Sequence, residues 1–429
     1  MASPLLYMEK LIQIFKTPDL RKKILIVVSL LLVFRIFSAI PIPSVDLIRL
    51  KMFLGSSQLL GFLDLFSGGA LGKLSIVMLG VGPYITATII MQLLTMIFPR
   101  LKEFYYEQGE MGRAKFNRIS RYITVPLAAL QGYAFLNLLQ SQQILTITSP
   151  FDIVRNVIIV TAGSMFLVWL GELISEQKIG NGVSLLIFAG IVSGLPQTFK
   201  ALFLNYSPSQ IPTYIIFLVL SIVVIAGVVF INEGERKIPV SYSRRVRGNK
   251  MYGGVSSYLP LKVNQAGVIP IIFAISILLL PQFLAQASVI ISQDFSFKLT
   301  GIVNNFMNDQ VIYSIIYFFL VFIFTYFYTA ATFDPIEISK NLQKSGGFIP
   351  GIRPGEHSGQ YLSKVINRIT LFGALFLGVI AVLPNIVVIF TNIQALTLGG
   401  TSLLIAVSVA LEIKKQINSQ MVMREYEGI

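Results

Sequence analysis

The chain has 429 residues, 54% of them hydrophobic and only 13% charged, with a mean hydropathy of +0.74; the charge fraction is about half that of an average soluble domain, which excludes an ordinary water-soluble globule. With no Cys and a single His, His357, it also excludes disulfides, thiol nucleophiles, iron–sulfur clusters, cysteine zinc sites and imidazole metal clusters, so no metal and no cofactor is expected. The 34 Lys+Arg against 20 Asp+Glu give a formal charge of +14, which suits anionic company such as phospholipid headgroups, nucleic acid or an acidic protein face.

A membrane crossing takes about 20 apolar residues to cover roughly 30 Å of hydrocarbon. The opening residues 1–23 are amphipathic and charged throughout, without a short apolar core and small-residue cleavage site, so the first crossing segment is expected to be retained. Ten near-uncharged runs follow, at 24–40, 74–98, 122–139, 153–174, 183–204, 214–231, 263–284, 311–331, 369–383 and 396–411. The fold class these predict is all-α, a polytopic membrane protein with ten transmembrane helices. Placing the N-terminus inside puts 27 of the 34 Lys and Arg in inside segments and six outside, with Arg35 within the first span and able to snorkel outward. The excess of inside cations predicts N-in, C-in.

Between the first two spans, 56–73 is apolar but too short and Gly-rich to cross, and it carries Asp64 in mid-run. It fits a short re-entrant helix, or a segment lying on the outer membrane surface. Gly72-Lys73 is not a phosphate loop, because Leu74 follows the Lys and Ser67 stands where the first Gly would. Further along, Gly80-Val81-Gly82-Pro83 in the second span is echoed by Gly267-Val268-Ile269-Pro270 in the seventh. Ten spans divide into five and five, and two like-folded halves with an odd number of spans must face opposite ways. The echo fits an inverted repeat with weakened helices at matching places, or two chance kinks. The organisation expected is a 1–23 N-terminal segment, a first half at 24–204, an external hinge at 205–213, a second half at 214–411 and a 412–429 tail.

Two inside loops, 232–262 and 332–368, are long and basic. The first has a tip with Arg244, Arg245, Arg247 and Lys250 among Tyr and Gly, consistent with a hairpin-like finger. The second holds Arg353 between Gly and Pro turn residues. Their charge fits contact with anionic phospholipids, and their length favours a docking surface for a bulky anionic partner. The spans themselves are almost free of ionisable groups, so a pathway through them would be apolar, excluding ions by dewetting and offering no specific small-molecule site. His357-Ser358 sits in a loop without catalytic context, and no enzyme is expected.

Seven ordered blocks, IPIP after the first span, LFSGGALGKLSI, LGVGPYITATIIMQLL, MFLVWLGELISEQKIGNGVSLLIFAGI, LPLKVNQAGVIPIIFA, NLQKSGGFIPGIRPGEH and GGTSLLI, resemble the bacterial SecY family of protein-conducting channels over essentially the whole chain. The resemblance implies two five-helix halves that open like a clamshell in the bacterial plasma membrane. They would pass unfolded secretory polypeptides across and release transmembrane segments sideways. It implies a pore ring of Val81, Ile85, Val183, Ile187, Ile272 and Ile405, with two Val where the family usually has Ile. A plug would include Phe62, Leu63, Asp64, Leu65, Phe66, Ser67, Gly68 and Gly69, and Gln92 and Asn264 would be polar contacts across a lateral gate. The implied partners are the small subunits SecE and SecG, the SecA ATPase, the ribosome through its rRNA, signal peptides and nascent chains. Arg353 and the finger Arg244, Arg245, Arg247 and Lys250 would dock SecA or the ribosome. The competing class is an ion-coupled secondary transporter, which also uses inverted repeats but carries a membrane-buried coupling carboxylate.

Overall fold

The computed structural model describes residues 17–43, 49–50, 64, 67–98, 100–101, 109–145, 149–204, 211–242, 245–247, 250–252, 256–288, 292–391 and 395–427. The first half begins with α1 (Pro18–Phe37), which has Pro in its first turn, Asp19 beside it and Arg35 in its last turn. These are the ends where a missing N–H, a negative and a positive charge are best tolerated. Then come α2 (Gly82–Ile97), α3 (Gly109–Ser141), α4 (Pro150–Glu176) and α5 (Gly182–Leu204). α6 (Ile211–Glu233) opens the second half and runs into the strands β1 (Glu235–Tyr242), β2 (Arg245–Arg247), β3 (Lys250–Tyr252) and β4 (Ser256–Lys262). The chain continues through α7 (Ile269–Ala287), α8 (Gln293–Asn308), α9 (Gln310–Thr332), α10 (Pro335–Lys344), β5 (Gly347–Phe348), α11 (Glu356–Thr391) and α12 (Ala395–Glu427).

Each of the ten apolar runs overlaps one of these helices. By length and composition, Ala114–Ser141, Pro150–Glu176, Gln310–Lys344 and Glu356–Val387 can cross a bilayer; Gly182–Pro196, Leu218–Glu233 and Ile269–Ala285 are shorter apolar helices. The largest departure from expectation is the run at 74–98. α2 supplies only its second part, about 24 Å at 1.5 Å per residue, and residues 67–81 fold as successive turns. Non-helical backbone at membrane depth survives only where protein covers it. Here Leu74 and Val77 are wholly buried, and the Ile42 and Ile76 N–H groups donate to the Leu74 and Ile40 carbonyls at 2.8 and 3.0 Å. The segment after α1 thus clips onto the segment before α2.

The Gly/Pro echo is a pair of helix starts, not mid-helix kinks. Gly80 and Gly267 both take positive φ, 58° and 63°, a conformation that costs glycine nothing. Three residues later Pro83 and Pro270 fall in the first turn of α2 and α7, where the missing N–H is harmless. The same sequence device starts both helices.

The all-α expectation fails outside the bundle. β1 pairs antiparallel with β4 from Glu235↔Lys262 to Ser241↔Ser256, β5 adds to the other edge of β1, and β2 and β3 form a separate hairpin. The 232–262 loop is therefore a β-ribbon, and it covers its own small core in which Ile238 and Leu261 meet Ile349, Leu362, Val365 and Ile366. The last three belong to the front of α11, so 332–368 is less a loop than α10, a turn and the extension of a long helix. Asp334 caps α10 by accepting from the Ile336 and Glu337 N–H groups at 2.9 and 3.2 Å.

Among the described residues, helices before and after 205–210 pack together along two seams. α7 packs on α2 and α3, and α12 packs on α5. One apolar cluster runs through both seams, from Val27 and Phe34 of α1 to Leu404, Ile405 and Val409 of α12.

Candidate functional site

The six residues expected to form a ring come from four elements and two halves. Val81 immediately precedes α2 and Ile85 lies in its first turn; Val183 and Ile187 are four apart on α5; Ile272 is on α7 and Ile405 on α12. A spacing of four places two side chains on one helical face, so α2 and α5 each present a pair. The structure brings all six into the same apolar cluster. Val81, Ile85, Ile187, Ile272 and Ile405 are buried, and Val183 is partly so.

On one side of this cluster opens a cavity of about 720 Å³. Ile85, Val183, Ile187 and Ile272 are among its lining residues, together with Phe273 and Tyr328 and the polar Gln92, Arg118, Arg121, Glu172, Glu176 and Asn181. Arg121 of α3 donates to the Glu172 carboxylate of α4 at 2.9 Å, tying the two walls together. The cavity wall therefore combines charged and amide groups with branched aliphatic and aromatic side chains.

Residues 67–74 adjoin the same cluster, which includes the fully buried Ala70. Asp64 organises this segment. Its Oδ1 accepts from the Gly72 N–H at 2.6 Å, and its carbonyl accepts from the Gly69 N–H and the Ser67 hydroxyl at 2.7 and 2.9 Å. The Ser67 Oγ in turn accepts from the Leu71 N–H at 3.0 Å. Of the expected plug residues, Phe62, Leu63, Leu65 and Phe66 lie outside the described residues, whereas Asp64, Ser67, Gly68 and Gly69 belong to this bonded turn. Arg35 corrects the sequence reading. It does not snorkel outward but donates to the Gly68 carbonyl at 2.6 Å, fastening the segment to α1. A lone arginine in the last apolar turn was the available signal.

Gln92 and Asn264 are not joined. Gln92 lines the large cavity, and its buried Oε1 has no partner. Asn264 donates to the Asn232 Oδ1 at 2.7 Å and the Gly267 carbonyl at 3.1 Å, beside a second cavity of about 380 Å³. Asn232 extends that network to the Ser408 Oγ at 3.1 Å, and its carbonyl accepts from the Lys415 ammonium at 2.8 Å. Burial, then the nearby Lys262 charge, pull the Lys415 pKa below its ordinary value against the opposing pull of Glu233 and Glu235.

Of the basic residues, Arg245 and Arg247 lie on β2 and Lys250 on β3, the hairpin beyond the ribbon, and Arg244 lies outside the described residues. Arg353 is exposed on a turn held by two hydroxyls, Ser358 Oγ donating to the Arg353 carbonyl at 2.8 Å and Ser339 Oγ to the Gly355 carbonyl at 2.5 Å. Ser358 is thus a buried turn brace beside an exposed His357. Among the described residues no His, Cys, Asp or Glu cluster could hold a metal ion.

Helices long and apolar enough to cross a bilayer, packed around a buried apolar cluster that borders a large cavity, define a multi-pass membrane protein. The SecY family model matches residues 75–414. The protein translocase subunit SecY of Streptomyces galbus is 42% identical over 432 residues, covering 96% of this chain and 98% of that one. The fold is similar to that of a solved protein-conducting channel, with a TM-score of 0.64 at 20% identity, covering 92% of this chain and 91% of the other. It is also similar to Sec61 in the canine ribosome–channel complex from the endoplasmic reticulum, with a TM-score of 0.61 at 20% identity and the same coverage. The chain belongs to the SecY family of protein-translocase channel subunits of the bacterial plasma membrane.

Proposed function

We propose that Val81, Ile85, Val183, Ile187, Ile272 and Ile405 form the pore ring through which unfolded polypeptide passes. The observation that carries this is their convergence, from four separate elements, into one apolar cluster, with four of the six also lining the large cavity. A narrow collar of branched aliphatic side chains excludes small hydrated ions by dewetting, yet deforms around a chain of any sequence. In this reading the chain crosses the membrane ten times, N-in and C-in, as halves 24–204 and 214–411. The 64–74 turn, with the residues before it, is the plug. The seam of α7 against α2 and α3 is the lateral gate, and Gln92 and Asn264 flank it. A segment sampling lipid there gains about 0.3–0.6 kcal/mol per Leu-like residue and loses about 2.5–3.5 per central charge. Apolar segments leave sideways, and polar chain continues through.

The partners in this reading are SecE and SecG in the membrane, the SecA ATPase or the ribosome at the ribbon, hairpin and Arg353 turn, signal peptides and nascent chains as cargo, and anionic phospholipids around the basic loops. The test is export by the purified complex in proteoliposomes. Arg353→Glu reverses the charge on an exposed turn whose braces do not involve its side chain, so it should abolish ATPase-driven export while the protein inserts and assembles normally. Undiminished export would refute the docking role. Asp64→Ala removes the acceptor of the Gly72 N–H and unsettles the turn under the collar. Resting ion conductance in planar bilayers should rise, and an unchanged baseline would count against a plug.

A further inference from the structure

We propose that α8 is an interfacial helix, lying along the lipid–water boundary with Phe295 and Ile302 against acyl chains. Successive residues of a helix turn by about 100°. Ser296 and Val303, seven apart, are buried against the bundle, with Leu299 and Phe306 beside them on the wheel. Phe295 and Ile302 are also seven apart and continue that apolar arc beyond the protein contact, 49% and 67% exposed. Asp294, Lys298 and Asn305 follow as a solvent-facing strip; Phe297 falls across that strip, beside Asn304. An inner face on protein, a neighbouring apolar flank and then a polar flank is the layout of a helix resting in a membrane interface.

The occupant of the apolar flank follows from what adjoins it. Only Asp309 separates α8 from α9, and its carboxylate caps α9 through the Val311 and Ile312 N–H groups at 3.0 and 3.1 Å. α9 begins one of the stretches able to cross a bilayer, and Val311, Ile312 and Ile315 in its opening turns are exposed apolar side chains, the wall such a helix turns to lipid. α8 runs through one residue into that wall, so the C-terminal end of its apolar flank lies next to the level where the span begins. Lipid is therefore the partner, and α8, which connects α7 to α9, holds the end of α7 at the membrane surface. This needs only that α9 crosses the bilayer and stands or falls apart from the pore assignment.

The absence of native Cys permits single labels at Phe295→Cys, Ile302→Cys and, as a control, Asn305→Cys in the complex reconstituted in liposomes. All three sites are exposed. With an environment-sensitive fluorophore, nitroxide lipids labelled near the glycerol should quench the first two roughly threefold more than the third, as for side chains buried about 5–10 Å into the headgroup boundary. Equal quenching at all three, with free access to aqueous iodide, would overturn the proposal. So would shielding of Phe295→Cys and Ile302→Cys from lipid and iodide alike, which would mean that a protein subunit covers the flank.

Discussion

Replacing Gly163 by alanine should destabilise the protein by about 2 kcal/mol, in the range of core overpacking, although helix propensity alone would favour the change by about 1 kcal/mol. A Cβ at Gly163 of α4 would stand 2.0 Å from the Ile76 carbonyl oxygen, 2.8 Å from its carbon and 3.3 Å from the Val77 Cα. All three are backbone atoms of the turn segment preceding α2, so no side chain can swing aside. That segment is pinned from the other side by the bonds linking Ile76 to Ile40 and Ile42 to Leu74. Relieving the clash must push the segment, and with it the residues next to Val81, away from α4. A lower thermal midpoint for the purified complex checks this. A midpoint at or above that of the wild type would show that α4 and the segment can part at no cost.

Ile187→Lys should make the resting channel leak. Ile187 is 1% exposed, the most buried member of the ring, and a cation there demands water in a constriction that otherwise repels it. An increase in resting conductance on the order of tenfold corresponds to about 1.4 kcal/mol off the permeation barrier. Ile187→Leu keeps the apolar volume and should stay sealed. Leakage from both variants alike would mean that packing, not dewetting, forms the barrier.

The helices were legible in the sequence because they rest on a local signal, uninterrupted apolar runs, whereas the six ring positions came from the resemblance to the SecY family and from no spacing, since Ile272 and Ile405 stand singly on their helices. What the sequence hid depends on tertiary contact. Residues 74–81 are as apolar as a helix, and only the bridge to 40–42 and the close approach at Gly163 reveal that they turn. α8 escaped notice because sixteen residues of mixed polarity fall short of a span. α11 and α12 extend beyond their apolar runs because the lipid-crossing signal stops where the hydrocarbon stops, while α11 continues beneath the ribbon's small core and α12 continues to Lys415, which bonds the Asn232 carbonyl, and Gln420, which bonds the Lys178 carbonyl. Arg35 was misread for a related reason. Its length permits snorkelling, and only the fold places the Gly68 carbonyl within its reach.

If the six aliphatic residues surround the passing chain, a stalled polypeptide must lie within reach of both Ile187 and Ile405. The most direct measurement places single cysteines at Ile187 and Ile405, one from each half, and stalls in the complex a secretory polypeptide carrying one cysteine of its own. Both positions should form a disulfide with the stalled chain, and Phe230→Cys, exposed on the outside of α6, should not. Failure at both ring positions, with export otherwise proceeding, would contradict the claim.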